Sequence, residues 1–192
     1  DWTAYFEVMP AEKIDLGIDL ESDRMVNSEF DPEEVDSERT VIISERSGSE
    51  NSPQWLLYEE ILGASFRVHP YRTEVIGEVV DLKTMTRDDL YGHYRTFYVP
   101  NNAVMAVAGD FKTKPMLARI KELYERIPLG PTPPRFNRPE PESNGEKRVT
   151  VEGPGETTYI QAAYHTPAVS DPDFHAMSVL DSLLSGPANL NM

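Results

Sequence analysis

Apolar and polar positions change period several times along the chain, and each change marks a predicted element. Near the start, WTAYFEV sets Trp2, Ala4, Phe6 and Val8 against Thr3, Tyr5 and Glu7, the alternation of a strand with one buried face. From Pro10 the spacing lengthens to three and four. In PAEKIDLGIDLESDRMVNS, Ile14, Ile18, Glu21 and Met25 share a helical face, and Leu16 and Leu20 flank it. FDPEEV then carries a helix start, with Asp31 as N-cap, Pro32 at the first helical position and Glu34 three residues after the cap. That helix is predicted to run through Glu38 and Glu45. SGSENS (47–52) interrupts or kinks it, and Ser52-Pro53 restarts a helix through Trp55, Leu56, Tyr58, Glu59 and Leu62.

The stretch 69–85 lacks a helical period and reads as an irregular crossing segment. Thr86 and Asp89 cap a further helix in which Leu90, Tyr94 and Phe97 recur at three and four. AVMAVAGDF (103–111) is a short continuous apolar run between Asn101-Asn102 and Gly109-Asp110, the mark of a strand buried on both faces. Met116, Leu117, Ile120, Leu123, Tyr124 and Ile127 outline an amphipathic helix after it. Between Pro128 and Lys147 the proline-rich PLGPTPPRFNRPEPESNGEK has no period and reads as a linker. RVTVE and TTYIQAAYH then alternate as strands, and SDPDFHAMSVLDSLLSG is a capped helix ending at Gly186.

Composition narrows the classes. The length of 192 residues suits one domain plus part of another, with a new one starting near residue 147. A net charge of −15 makes a nucleic-acid or anionic-membrane partner unexpected, since either requires a basic footprint. No apolar run approaches the length of a membrane span, and DWTAYFEV lacks the basic-then-apolar pattern of a signal peptide. Without cysteine there are no disulfides, thiolate metal sites or cysteine nucleophiles. Compartment stays open, with the cytoplasm favoured over a periplasm or an organelle.

Candidate chemistry is sparse. His69, His93, His165 and His175 are scattered and form no HxxxH or HxxEH pair, and no nucleophile elbow or phosphate loop occurs. Asp19, Glu21 and Asp23 read as solvated helix surface. Glu38 and Glu45 stand out in SERTVIISER: seven residues is close to two helical turns, so both carboxylates project the same way about 10 Å apart along the axis. A shared task for the pair and a plain solvated stripe both fit that spacing.

The neighbours of this pair carry a resemblance. The order DWTAYFEVMP, a helix with DLESDRM, FDPEEVDSERTVIISE, HPYRTEVIG, MTRDDLYGHYRTFYVPNNAVMAVAGDF, a helix and IPLG resembles the M16 zinc peptidases: insulinase, pitrilysin and mitochondrial processing peptidase. HYRTFYVPNNAVMAVAGDF with the helix of KELYERIP is its most specific piece, followed by ERTVIISE. The resemblance implies an α+β fold, a two-layer, mostly antiparallel sheet packed on helices (the LuxS/MPP-like metallohydrolase fold). Residues 1–128 would be the later part of the first peptidase domain, 129–146 a proline-rich linker, and 147–192 the start of a second, non-catalytic domain. Because such a chain lacks its leading strands, a sheet edge is expected to need completion from the rest of the protein or another copy.

In that family an HxxEH helix supplies two histidine ligands and a glutamate base, and a glutamate on a second helix completes the zinc site. By the resemblance Glu45 is the metal ligand and Glu38 the carboxylate that supports the site from behind it. HxxEH is absent here and is expected upstream of Asp1, so the chain is expected to be inactive alone. The implied function is that of a zinc endopeptidase fragment acting on peptides or unfolded polypeptide, paired with the remainder of its own protein or a homologous subunit. The alternative is a non-catalytic scaffold or partner subunit of the same family; a generic α+β interaction domain with an acidic stripe is the third reading.

Overall fold

A computed structural model describes residues 2–135, 137–153 and 156–185. The chain divides into two compact units, Asp1–Ser44 with Val79–Asn137, and Glu45–Glu78 with Arg138–Met192. Seven α-helices occur among the described residues: α1 (Ile14–Asn27), α2 (Pro32–Ser49), α3 (Pro53–Ser65), α4 (Val79–Thr84), α5 (Arg87–Phe97), α6 (Thr113–Tyr124) and α7 (Phe174–Ser185). None of these is long and apolar enough to cross a membrane.

Local side-chain chemistry sets several helix starts. Asp31 Oδ1 accepts the backbone N–H of Glu33 at 2.9 Å and of Glu34 at 3.4 Å at the head of α2. Ser52 caps α3 by accepting from Trp55 N. At α5 Thr86 and Asp89 form a reciprocal capping box, which satisfies two donors that a helix start otherwise leaves unpaired. Asp171 Oδ1 accepts from Asp173 N just ahead of α7. The expected end of α7 at Gly186 lies outside the described residues.

In the first unit α1 packs on α6. Ile18, Met116 and Leu123 form the buried cluster, with Ile14, Val107, Phe111, Ile120 and Tyr124 around it. A second set of contacts holds the turn between α1 and α2. The buried Tyr94 hydroxyl donates to Arg24 O at 2.8 Å and accepts from Ser28 N, so α5 ties off the end of α1. Phe30 takes a left-handed backbone conformation, φ 54°, which costs a non-glycine residue about 1–2 kcal/mol. Its ring rests 5.2 Å from that of Tyr94, and Arg87 donates to the carbonyls of Phe30 and Glu29 at 3.0 and 2.6 Å. Gly130 brings the proline-rich segment against Val99 so closely that a Cβ would come 2.3 Å from Val99 Cγ1.

The expected α+β architecture is not what the structure shows. Among the described residues there is no strand and no sheet, and the elements are helical. Segments 2–8, 103–111, 148–152 and 157–165 are not helical, but no ladder of backbone hydrogen bonds joins any of them to a neighbour. Val8, Val104 and Ile160 are 92, 99 and 90 % exposed. Alternation along a sequence records which face is apolar; a strand exists only through a partner that exchanges N–H···O=C bonds. Within 103–111 only Val107 and Phe111 reach the core. The supposedly irregular stretch 69–85 contains a single 3-10 turn, Pro70–Arg72, and the six-residue α4.

Candidate active-site helix

Both singled-out carboxylates lie on α2, and both side chains are exposed. Pro32 and the Asp31 cap start the helix, and it continues without a break through Ser47 and Gly48. Seven residues of α-helix rise about 10 Å and turn back to nearly the same side, so Glu38 and Glu45 stand in one row.

Glu38 lies in the first unit at a hollow of about 500 Å³. Phe30, Val35, Ile42, Leu82 and Met85 make most of its wall apolar, so Glu38 and Glu34 set carboxylates beside a surface suited to aliphatic groups. The next residue, Arg39, turns to the wall and donates to the carbonyl of Leu82 at the end of α4.

Glu45 opens the second unit, and its neighbour Arg46 was not singled out by sequence pattern. Arg46 is only 4 % exposed, and its guanidinium gathers three carboxylates: Glu59 at 2.7 Å, Glu78 at 3.3 Å and Glu50 at 3.3 Å. It also donates to Gly77 O at 2.9 Å and lies over the Trp55 ring at 5.1 Å. Burial alone would lower its pKa, but the hydrogen bond and charge of Glu59, followed by Glu78 and Glu50, outweigh this and raise it. Arg46 is thereby a fixed cation that fastens the end of α2 to α3 and to residues 77–78. Adjacent residues on a helix point about 100° apart, so with Arg46 turned inward Glu45 is left on the exposed side.

The histidines stay apart from this helix chemistry. His69 Nδ1 accepts from Tyr71 N, His93 rests on Phe97, His165 stacks on Phe66 and His175 meets Phe174. Among the described residues no group of three or more histidine, aspartate or glutamate side chains is gathered as a metal site. Two carboxylates do not by themselves hold a catalytic zinc ion, so no step through a metal is assigned to these residues.

Glu21, expected on solvated surface, is instead partly buried against other polar groups. Loss of water around it, followed by the hydrogen bond its protonated carboxyl donates to Glu7, pushes its pKa up from 4.5 to about 7, although Arg24 stands at 2.7 Å. Tyr5, whose ring lies under Arg24 and whose hydroxyl is 2.7 Å from that of Tyr98, is pushed up to about 12 chiefly by burial.

Comparison with known proteins places the chain in a family. A 24 % identical relative over 99 % of this chain and 36 % of its own length is the probable mitochondrial-processing peptidase subunit beta of Arabidopsis thaliana. An uncharacterized zinc protease of Mycobacterium tuberculosis is 28 % identical over 96 % of the chain and 42 % of its own length. Zinc protease PqqE of Helicobacter pylori is 27 % identical with the same coverage. The chain thus spans about two fifths of the length of these curated relatives. Among solved structures, the first half of the periplasmic protease PqqL from Escherichia coli matches with a TM-score of 0.59 and 26 % identity, over 70 % of this chain and 29 % of that one. The family profile described as the peptidase M16 inactive domain matches residues 84–191, more than half of the sequence, and the chain belongs to the peptidase M16 family.

Proposed function

We propose that this chain is part of a zinc-dependent endopeptidase that hydrolyses peptide bonds, with Glu45 as a metal ligand and Glu38 as the carboxylate that positions that region, and that the chain is inactive alone. The observation that carries this reading is α2 itself. One unbroken helix presents both glutamates in a single exposed row, and the buried Arg46 beside Glu45 fixes the helix's rotation. A ligand carboxylate needs this combination of accessibility and a rigid support. The remaining ligands and the general base would come from histidine and glutamate residues of a longer polypeptide. In this reading residues 1–128 belong to the catalytic domain, 129–146 connect, and 147–192 begin the non-catalytic domain.

A second reading, a non-catalytic partner subunit, is favoured by one finding: the matching profile is that of the family's inactive domain. The test is zinc content and chelator-sensitive peptidase activity of the longer protein beside this chain. One bound zinc and activity in the longer protein only, both lost in Glu45→Gln with the fold retained, is the expected result. Undiminished zinc in Glu45→Gln removes the ligand assignment, and a metal-free, inactive longer protein supports the partner reading.

A further inference from the structure

The end of α3 carries a feature that the zinc reading does not use. Beyond Ser65 the backbone N–H groups of three consecutive residues, Arg67, Val68 and His69, converge on the Glu140 carboxylate. Oε1 accepts from Arg67 N at 2.6 Å, and Oε2 accepts from Val68 N at 2.9 Å and from His69 N at 2.9 Å. Both oxygens are engaged, so the acceptor is read as a planar two-oxygen anion rather than as a single carbonyl. Successive N–H groups turned to one point form a concavity for anions, since their dipoles add at that point.

The surroundings reinforce this recognition. Phe66 leads into the turn with its ring stacked on His165 at 4.9 Å, and His165 Nε2 lies 2.9 Å from Ser65 O. Lys147 Nζ donates to Ala64 O at 2.5 Å. The last carbonyls of α3 are therefore capped by side chains at the end of the proline-rich segment and beyond it, Lys147 and His165, while the N–H groups just past them are taken by a carboxylate within it.

We propose that the turn Arg67–His69 is a carboxylate-binding site and that Glu140 is its resident intramolecular ligand, clipping the proline-rich segment to the end of α3. The site's chemistry also fits a small free carboxylate when Glu140 is removed. Consistent with the geometry, desolvation raises the Glu140 pKa, but the bonds from Val68, His69 and Arg67, with the charge of His165, override it and bring it down to about 2. The clip is therefore charged and closed across the neutral range, and opens only in strong acid.

The experiment uses Glu140→Ala in the full chain, read by amide hydrogen exchange and amide NMR shifts at residues 67–69, with and without acetate as the probe. Loss of protection at these three amides, at least tenfold, and its return with acetate is the expected result. Unchanged exchange in Glu140→Ala overturns the clip. Loss of protection that acetate does not reverse overturns the receptor, because the turn then fails to keep its shape without Glu140. Should Glu140→Ala not fold, Glu140→Gln decides: an amide cannot accept at both positions, so the resonance of at least one of Arg67, Val68 and His69 moves, and three unmoved resonances overturn the assignment.

Discussion

Replacing Arg46 by methionine tests whether one buried cation organises the second unit. Its guanidinium makes contacts of 2.7 Å to Glu59, 2.9 Å to Gly77 O and 3.3 Å to Glu78. Removing one member of a fully buried charge cluster costs about 3–5 kcal/mol, mostly because the partners are left uncompensated. Here the Glu59 and Glu78 side chains are 24 and 46 % exposed, so water takes over part of the lost contact. Methionine also keeps most of the packing on Trp55. The expected loss is about 2–3 kcal/mol. With a urea slope of about 2 kcal/mol/M, the midpoint falls by about 1–1.5 M. Trp55 fluorescence is the natural probe, with the other tryptophan, the largely exposed Trp2, replaced by phenylalanine. Adding Glu59→Gln to the methionine variant removes an uncompensated charge and is expected to restore about 1 kcal/mol. A midpoint within about 0.3 M of the parent would refute the account, since the carboxylates would then be equally content in water.

Three further outcomes are expected. The folded chain keeps the Glu21 proton up to about pH 7, whereas an unfolded glutamate has lost it by then, so stability declines as pH rises from about 4.5 to 7. Glu21→Gln flattens that slope, which chemical denaturation at pH 5, 6, 7 and 8 measures; an unaltered slope sinks the burial argument. Leu123→Ala opens the small core between α1 and α6 and lowers stability by about 2–3 kcal/mol, read as a shift in thermal midpoint. Under the proposed function, Glu38→Gln in the longer protein lowers peptidase activity and weakens zinc retention about 10–100-fold, whereas an unaffected enzyme would return Glu38 to the solvated face.

What was legible beforehand follows the range of the interactions involved. Asp31, Ser52, Thr86 and Asp89 could be read as caps because the N–H groups they satisfy lie two or three residues away. The same locality made the Glu38 and Glu45 row readable from spacing. The α4 helix escaped because six residues are too few to establish a period. Alternation at Trp2–Val8 and the apolar run at 103–111 predict strands, yet strand formation depends on a distant partner that no local pattern names. Glu21 reads as solvated in the sequence because the groups it interacts with, Glu7, Tyr5 and Tyr124, are not its neighbours along the chain. For Arg46 one signal was available: it follows Ile42 by one turn on the partly buried side of α2, with Glu50 a further turn on. An arginine on an apolar face needs carboxylates, and the sequence supplies Glu59 in α3 and Glu78 just ahead of α4.

The extended segment around Ala103–Val107 bears on handling. Its sequence AVMAV carries no charge, its Val104 is almost wholly exposed, and its backbone groups have no ladder partner among the described residues. An uncharged, exposed apolar stretch of this kind is expected to favour association between copies, and a net charge of −15 on each chain is expected to oppose it. That repulsion is screened within about 8 Å at physiological ionic strength and within about 3 Å at 1 M salt. Concentrated salt is therefore expected to cloud solutions of this chain, and dilute buffer well above its pI of about 4.6 to keep them clear.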